Sequence, residues 1–194
     1  MSLVLAVLAV SLLLGWLAGG TLDRLGAVAL RRRRLVLAAL VAQALGTVVG
    51  GPAFPLGLVL SAVLITAFLA ANRGLRGTGL VALGLLANAL VVGANGAMPV
   101  SRDAVARAGV VDPAVGADVR HEPADATTVL PWLGDVVPVA LPVRPEVVSP
   151  GDVLVAAGLA QLVVVAMLAR RTVTPVDRQR RQRRQGRALP PVPR

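Results

Sequence analysis

Three stretches of this chain, residues 2–19, 35–72 and 78–101, contain no Asp, Glu, Arg or His, and this emptiness constrains the fold more than any other feature. A soluble helix or strand interleaves charge with apolar residues at its own period, whereas blocks of this length without charge belong in hydrocarbon. Composition agrees: 56% hydrophobic and 15% charged residues lie outside the balance of a soluble domain. The chain is expected to be an all-α integral membrane protein.

Five transmembrane helices are expected, over residues 2–19, 35–51, 55–71, 79–94 and 152–169. The first run has no positive residue ahead of it and a second apolar block close behind, which reads as an uncleaved span rather than a signal peptide. Trp16 would lie near the interface. Gly50-Gly51-Pro52-Ala53-Phe54-Pro55 should break the helix between the second and third spans. That uncharged turn also allows a re-entrant hairpin. Asn95-Gly96 should stop the fourth span, and Pro99 prevents its resumption. Residues 95–151 then form one extracytoplasmic segment, and 172–194 a disordered basic tail.

Arginine placement sets the orientation. The chain has 20 arginines and no lysine, with 10 acids. Five arginines fall between residues 24 and 34, two at 73 and 76, and nine from residue 170 onward, all on one side of a five-span topology. The other side receives Arg102, Arg107, Arg120 and Arg144. The positive-inside rule therefore predicts an N-terminus outside the cell (plasma) membrane and a cytoplasmic C-terminus. Because the basic excess is split into short clusters between spans, a nucleic-acid partner is not expected. Tail residues Arg180, Arg181, Arg183 and Arg184 would instead contact anionic lipids of the inner leaflet, at about 1 kcal/mol each.

Polar side chains within the spans are Ser11, Gln43, Thr47, Ser61, Thr66, Asn88 and Gln161, with no ionisable group among them. Ion-coupled carriers usually need such a group at membrane depth. Gln43, Asn88 and Gln161 read as interhelical hydrogen-bond partners near the midplane, with a polar ligand pocket as the sharper reading. Gly84, Ala156, Gly158 and Ala160 are small enough for close helix approach. No cysteine is present and His121 is the single histidine, so neither a metal nor a cofactor is expected.

In the outer segment, Ser101 can cap a short helix whose Ala104, Val105 and Ala108 face would rest on the membrane surface. Leu130 to Val139 is too short to cross and reads as an interfacial loop around Trp132, with Asp135 pinning it through backbone hydrogen bonds or, in the sharper reading, binding a cation or ligand. Ser149-Pro150-Gly151-Asp152 reads as a capping box: Ser at the cap, Pro at the first helical position, and Asp returning a bond to the cap. Asn95, His121, Asp135 and Asp152 could converge into an outer-face site.

The chain resembles a family of small bacterial multi-pass membrane proteins known only as a domain of unknown function. The resemblance covers most of residues 1–170. It rests on Gly15-Trp16-Leu17-Ala18-Gly19-Gly20-Thr21-Leu22-Asp23-Arg24-Leu25, on the Asn88 to Val100 stretch ending Asn95-Gly96-Ala97-Met98-Pro99-Val100, on His121, on Thr128-Val129-Leu130-Pro131-Trp132-Leu133-Gly134-Asp135, and on Ser149-Pro150-Gly151-Asp152. Ala18 stands where such proteins often carry a basic residue, and Ala97 where a second Gly is usual. The resemblance implies an integral membrane protein and brings no activity with it.

The expected function is non-enzymatic: a structural or regulatory component, or one that binds a lipid or ligand at its outer segment. The residues name no protein partner. The alternative is a small-solute transporter or channel component, acting as a homo-oligomer through Gln43, Asn88 and Gln161. An enzyme using His121, Asp135 and Asp152 has least support, since no nucleophile is spaced with them.

Overall fold

A computed structural model describes residues 2–110, 120–140 and 145–169. Its elements are α1 (Ser2–Leu17), α2 (Leu22–Gly26), α3 (Arg34–Val49), α4 (Ala53–Ala71), α5 (Thr78–Asn95), β1 (Met98–Val100), α6 (Arg102–Ala108), β2 (His121–Pro123), a 3-10 turn (Pro131–Leu133), β3 (Val137–Val139), β4 (Glu146–Val148) and α7 (Pro150–Leu168). Among the described residues, three helices are long and apolar enough to cross a membrane: α4, α5 and α7. The apolar helices α1 and α3 each have 16 residues. The basic tail, with Arg180, Arg181, Arg183 and Arg184, and Arg144 in the outer segment lie outside the described residues.

The helices pack chiefly as neighbours in the order α1, α7, α5, α4, α3. The turn between α3 and α4 is as tight as the sequence requires, with Gly50 and Gly51 at φ +71° and +53°, a region that favours glycine. The prolines behave differently from expectation. α4 begins at Ala53, ahead of Pro55, because a proline in the first helical turn forfeits an N–H that has no intrahelical acceptor there.

The fold is mostly helical, but the all-α expectation needs correction in the segment between α5 and α7. There β1 pairs in parallel with β2, setting Met98 opposite His121, and β3 pairs antiparallel with β4. A further parallel bridge joins Val100 to Asp135. These short strands form a cap seated on the helix ends, where Phe54, Val91, Val92 and Met98 make a buried cluster flanked by Leu58, Leu130 and Leu133. Ser101 caps α6 as its sequence predicts, accepting from the Ala104 N–H at 3.3 Å. The helix's apolar face is taken up by the protein itself, however. Its buried Ala104 and Ala108 are spent against the cap, since α6 packs on β3 and β4.

Both ends of α1 are tied down. Its first turn lies at the cap end, where the Glu146 carboxylate accepts from the N–H groups of Ser2, at 3.0 Å, and of Leu3. These are orphan donors of a helix start, and an acid beside them also suits the helix dipole. At the other end, the Thr21 N–H donates to the Met167 carbonyl at 3.2 Å. The linker after α2 is fastened by Asn72, whose amide accepts from the Arg31 N–H at 2.9 Å and donates to the Arg31 carbonyl at 3.0 Å. An asparagine that reads in sequence as the start of a loop thus clamps a second loop 41 residues away in the chain.

Candidate functional site

Below the cap, a cavity of about 630 Å³ lies between α3, α4 and α5 and beside the first turn of α7. Phe54, Leu58, Ala62, Ile65, Leu85 and Val92 make its apolar wall, whereas Arg120, His121, Asp135 and Asp152 gather at the cap end. Gln43, Thr47, Ser61 and Asn88 add amide and hydroxyl groups along the side. Its size and mixed lining fall within the range of small-molecule sites.

The polar end is organised by three residues from two helices. Ser149 caps α7 by accepting from the Asp152 N–H at 3.0 Å, and its hydroxyl donates to Asn88 Oδ1 at 2.8 Å. Asn88 Nδ2 in turn donates to Asp152 Oδ1 at 2.8 Å. The capping box expected within Ser149–Asp152 is therefore closed through a residue of another helix. Ser149 is fully buried, so each of its polar groups must be satisfied by protein.

This closure requires α5 and α7 to approach unusually near. A methyl group on Gly151 would stand 2.0 Å from Asn88 Oδ1, and one on Gly84 would stand 2.3 Å from the Gly151 carbonyl oxygen. Gly84 and Gly158, both small residues noted in sequence, line this crossing; Gly158 faces Gly77 seven residues further along the seam.

Asp135 is held by its main chain. Its N–H donates to the Pro99 carbonyl at 2.8 Å, and its carbonyl accepts from the Ser101 N–H at 3.0 Å. Pinning of the loop thus falls to the backbone, in place of the carboxylate bonds expected. The carboxylate lines the cavity instead. Asp135 is 7% exposed, and His121 Nε2 stands 3.8 Å from Oδ2. Burial, reinforced by the negative charge of Asp152, pushes this carboxyl up to about 7. Glu146, farther along the cap, moves the other way: burial opposes its charge, but hydrogen bonds from the amino terminus and from the N–H groups of Leu3 and Ser2 outweigh it and hold the carboxyl below its ordinary range.

The residues proposed from sequence separate into three groups. His121, Asp135 and Asp152 share the cavity wall with Asn88 and Gln43. Asn95 is occupied elsewhere: its Nδ2 donates to the Val91 carbonyl at 2.7 Å and the Val129 carbonyl at 2.9 Å, while its Oδ1 accepts from the Val129 N–H at 2.8 Å. It is a clamp between α5 and the loop before the 3-10 turn. Gln161 is exposed on α7, away from the cavity. Sequence reasoning missed Arg120 in the wall and Ser149 as a partner of Asn88; only the proximity of α5 and α7 reveals the latter. Among the described residues, no group of three His, Cys, Asp or Glu side chains is placed to hold a metal ion.

Residues 27–164 match the family described as "Family of unknown function (DUF5317)". The matched region contains the Asn88–Val100, Thr128–Asp135 and Ser149–Asp152 stretches and leaves out Gly15–Leu25. No curated protein and no solved structure matches the chain.

Proposed function

The chain belongs to the DUF5317 family of unknown function, and we propose that it is a five-span, non-enzymatic plasma-membrane protein that binds an amphiphilic ligand in the cavity beneath an extracytoplasmic cap. The observation that carries this reading is the division of one cavity into a polar end under the cap and an apolar wall along α4 and α5. A ligand with a polar head and a greasy body would satisfy both ends at once. α1 and α3 complete the span set by packing beside α7 and α4, respectively.

The proposed topology draws support from chain direction. α5 ends and α7 begins at the cap, and α1 starts there against Glu146. The Arg24–Arg34 and Arg73–Arg76 clusters consequently fall at the opposite end, where the positive-inside rule would put the cytoplasm. The basic tail would follow α7 into that compartment and meet anionic lipid. A transport reading has less support, since Gln161, one of its three midplane residues, is exposed on α7 away from the cavity that Gln43 and Asn88 line.

The test is ligand capture by the full chain purified in a mild non-ionic detergent, read by native mass spectrometry. Wild type should retain an amphiphile that Thr47→Trp, which places an indole against the cavity wall, retains at a much lower level. Equal retention by both would refute binding in this cavity. Because the chain has no cysteine, single-Cys variants at Asp125 and Arg73 give a clean topology control. An impermeant maleimide should label the first and spare the second in intact cells.

A further inference from the structure

The cavity holds two carboxylates in unequal states of satisfaction. Asp152 Oδ1 is taken by Asn88. Among the described residues, the Asp135 carboxylate accepts no hydrogen bond, and the imidazole Nε2 of His121 stands 3.8 Å from it, beyond hydrogen-bond reach. At 7% exposure Asp135 is largely withdrawn from bulk water, and a largely buried carboxylate without a protein donor is costly. Arg120 and His121 also line the cavity, but both are engaged with other groups of the chain. The unfilled demand at the polar end is thus for a donor of positive charge.

We propose that the cavity receives the ammonium head of an amphiphile, with Asp135 as its main counter-ion, Asp152 beside it, and the aliphatic part lying along Phe54, Leu58 and Ile65. This deepens, and rests on, the amphiphile-binding reading above. An ammonium group supplies three N–H donors and one positive charge, which answers both the missing hydrogen bonds and the crowding of negative charge. An anionic head would instead bring a third negative group against the buried Asp135 and the partly buried Asp152. A bare metal ion would need several oxygen ligands and would leave the apolar wall without an occupant. Burial and the charge of Asp152 raise the Asp135 carboxyl to about 7 against the opposing amino terminus, so the negative charge that pairs with an ammonium is fully present only above that pH. The same ammonium chemistry is available from a free long-chain amine and from an aminophospholipid headgroup.

The experiment titrates the full chain in non-ionic detergent by calorimetry at pH 8 with four probes: decylamine, decanol, dihexanoyl phosphatidylethanolamine and dihexanoyl phosphatidylglycerol. An ammonium probe should bind about tenfold or more tightly than its neutral or anionic counterpart, as a charge-assisted hydrogen bond provides. Preference for decylamine over decanol assigns a free amine, and preference for the ethanolamine over the glycerol lipid assigns a headgroup; either result supports the proposal. Asp135→Asn and Asp152→Asn should each reduce the preference, read in whichever variant still binds the neutral probe. As a check that needs no variant, the wild-type preference at pH 8 should fall at pH 5.5, where the Asp135 carboxyl carries a proton. If neutral and anionic probes bind as tightly as the ammonium ones, or if the preference ignores pH, the ammonium assignment is overturned while amphiphile binding stands. If none of the four binds, both readings fall.

Discussion

Asn88 Nδ2 lies 2.8 Å from Asp152 Oδ1, so an amide from the interior of α5 reaches the first turn of α7 and orders the carboxylate that borders the cavity. The same amide accepts from the Ser149 hydroxyl at 2.8 Å. The α7 cap, the interhelical contact and the polar wall of the cavity are therefore one hydrogen-bonded unit, and they should fail together.

Replacing Asn88 by Leu removes both bonds and leaves a buried hydroxyl and a carboxylate short of a partner. We expect a loss of about 1–3 kcal/mol in stability. A double-mutant cycle with Asp152→Ala should show coupling of roughly 0.6–2 kcal/mol, the range seen for polar pairs between membrane helices. Reversible denaturation in mixed micelles checks this; strict additivity of the two substitutions would mean that the 2.8 Å contact carries no energy.

Gly151→Ala tests the crossing that makes this bond reachable. The added methyl would stand 2.0 Å from Asn88 Oδ1 and 2.7 Å from the Gly84 carbonyl oxygen, so the helices must part. Overpacking of this kind costs about 1–3 kcal/mol. Ala at Gly79, whose added carbon meets nothing within 4 Å, should cost much less. Equal melting temperatures for the two variants would contradict the close approach.

Stability should depend on pH through Asp135. Its carboxyl is raised from an ordinary 3.8 to about 7 in the folded protein. The folded state therefore holds a proton that the unfolded state has already lost, so stability falls as pH rises from about 4 to about 7 and levels off above that. The slope would approach 1.4 kcal/mol per pH unit at most, roughly the value of one proton. Glu146 acts in the opposite sense. Its lowered carboxyl contributes stability that is present above its ordinary 4.5 and is lost as pH falls below it, so a scan from pH 5 to 8 isolates Asp135. Asp152, Glu146 and the amino terminus act on the same carboxyl and His121 stands beside it, so a His121→Gln variant serves as a control. Asp135→Asn should flatten the profile across this window in thermal melts.

Asn95→Ala should loosen the cap without emptying the cavity. It removes the pair of bonds to Val129 and the bond to the Val91 carbonyl. Amide exchange at Val129 should accelerate by about tenfold, equivalent to roughly 1.4 kcal/mol of lost protection. The α5 interior around Ala89 should keep its protection. Unchanged exchange at Val129 would show that another contact holds the loop.

Much of this was legible in the residues. Long apolar blocks without charge specify helices because a single segment of chain can satisfy its own backbone in hydrocarbon only as a helix. Ser149-Pro150 marks the start of α7 and Gly50-Gly51-Pro52 the turn between α3 and α4, because caps and turns depend on neighbours in the chain. Family membership followed the same linear pattern. Local rules also explain the partial successes: Ser149 and Asp152 were expected to satisfy each other, and half of that bond pair exists.

Tertiary structure decided the rest. Asn88 and Asp152 are 64 residues apart, and nothing in the spacing between them encodes that α5 and α7 cross at Gly84 and Gly151. The strands of the cap escaped notice because three-residue pairings carry too little periodicity to register, and they exist through partners brought from elsewhere in the chain. Whether a polar residue faces a cavity, as Asp135 does, clamps a loop, as Asn95 does, or points outward, as Gln161 does, depends on which helix packs beside it. A sequence sets which groups a chain possesses; their company is set by packing across long separations, and the candidate site exists only there.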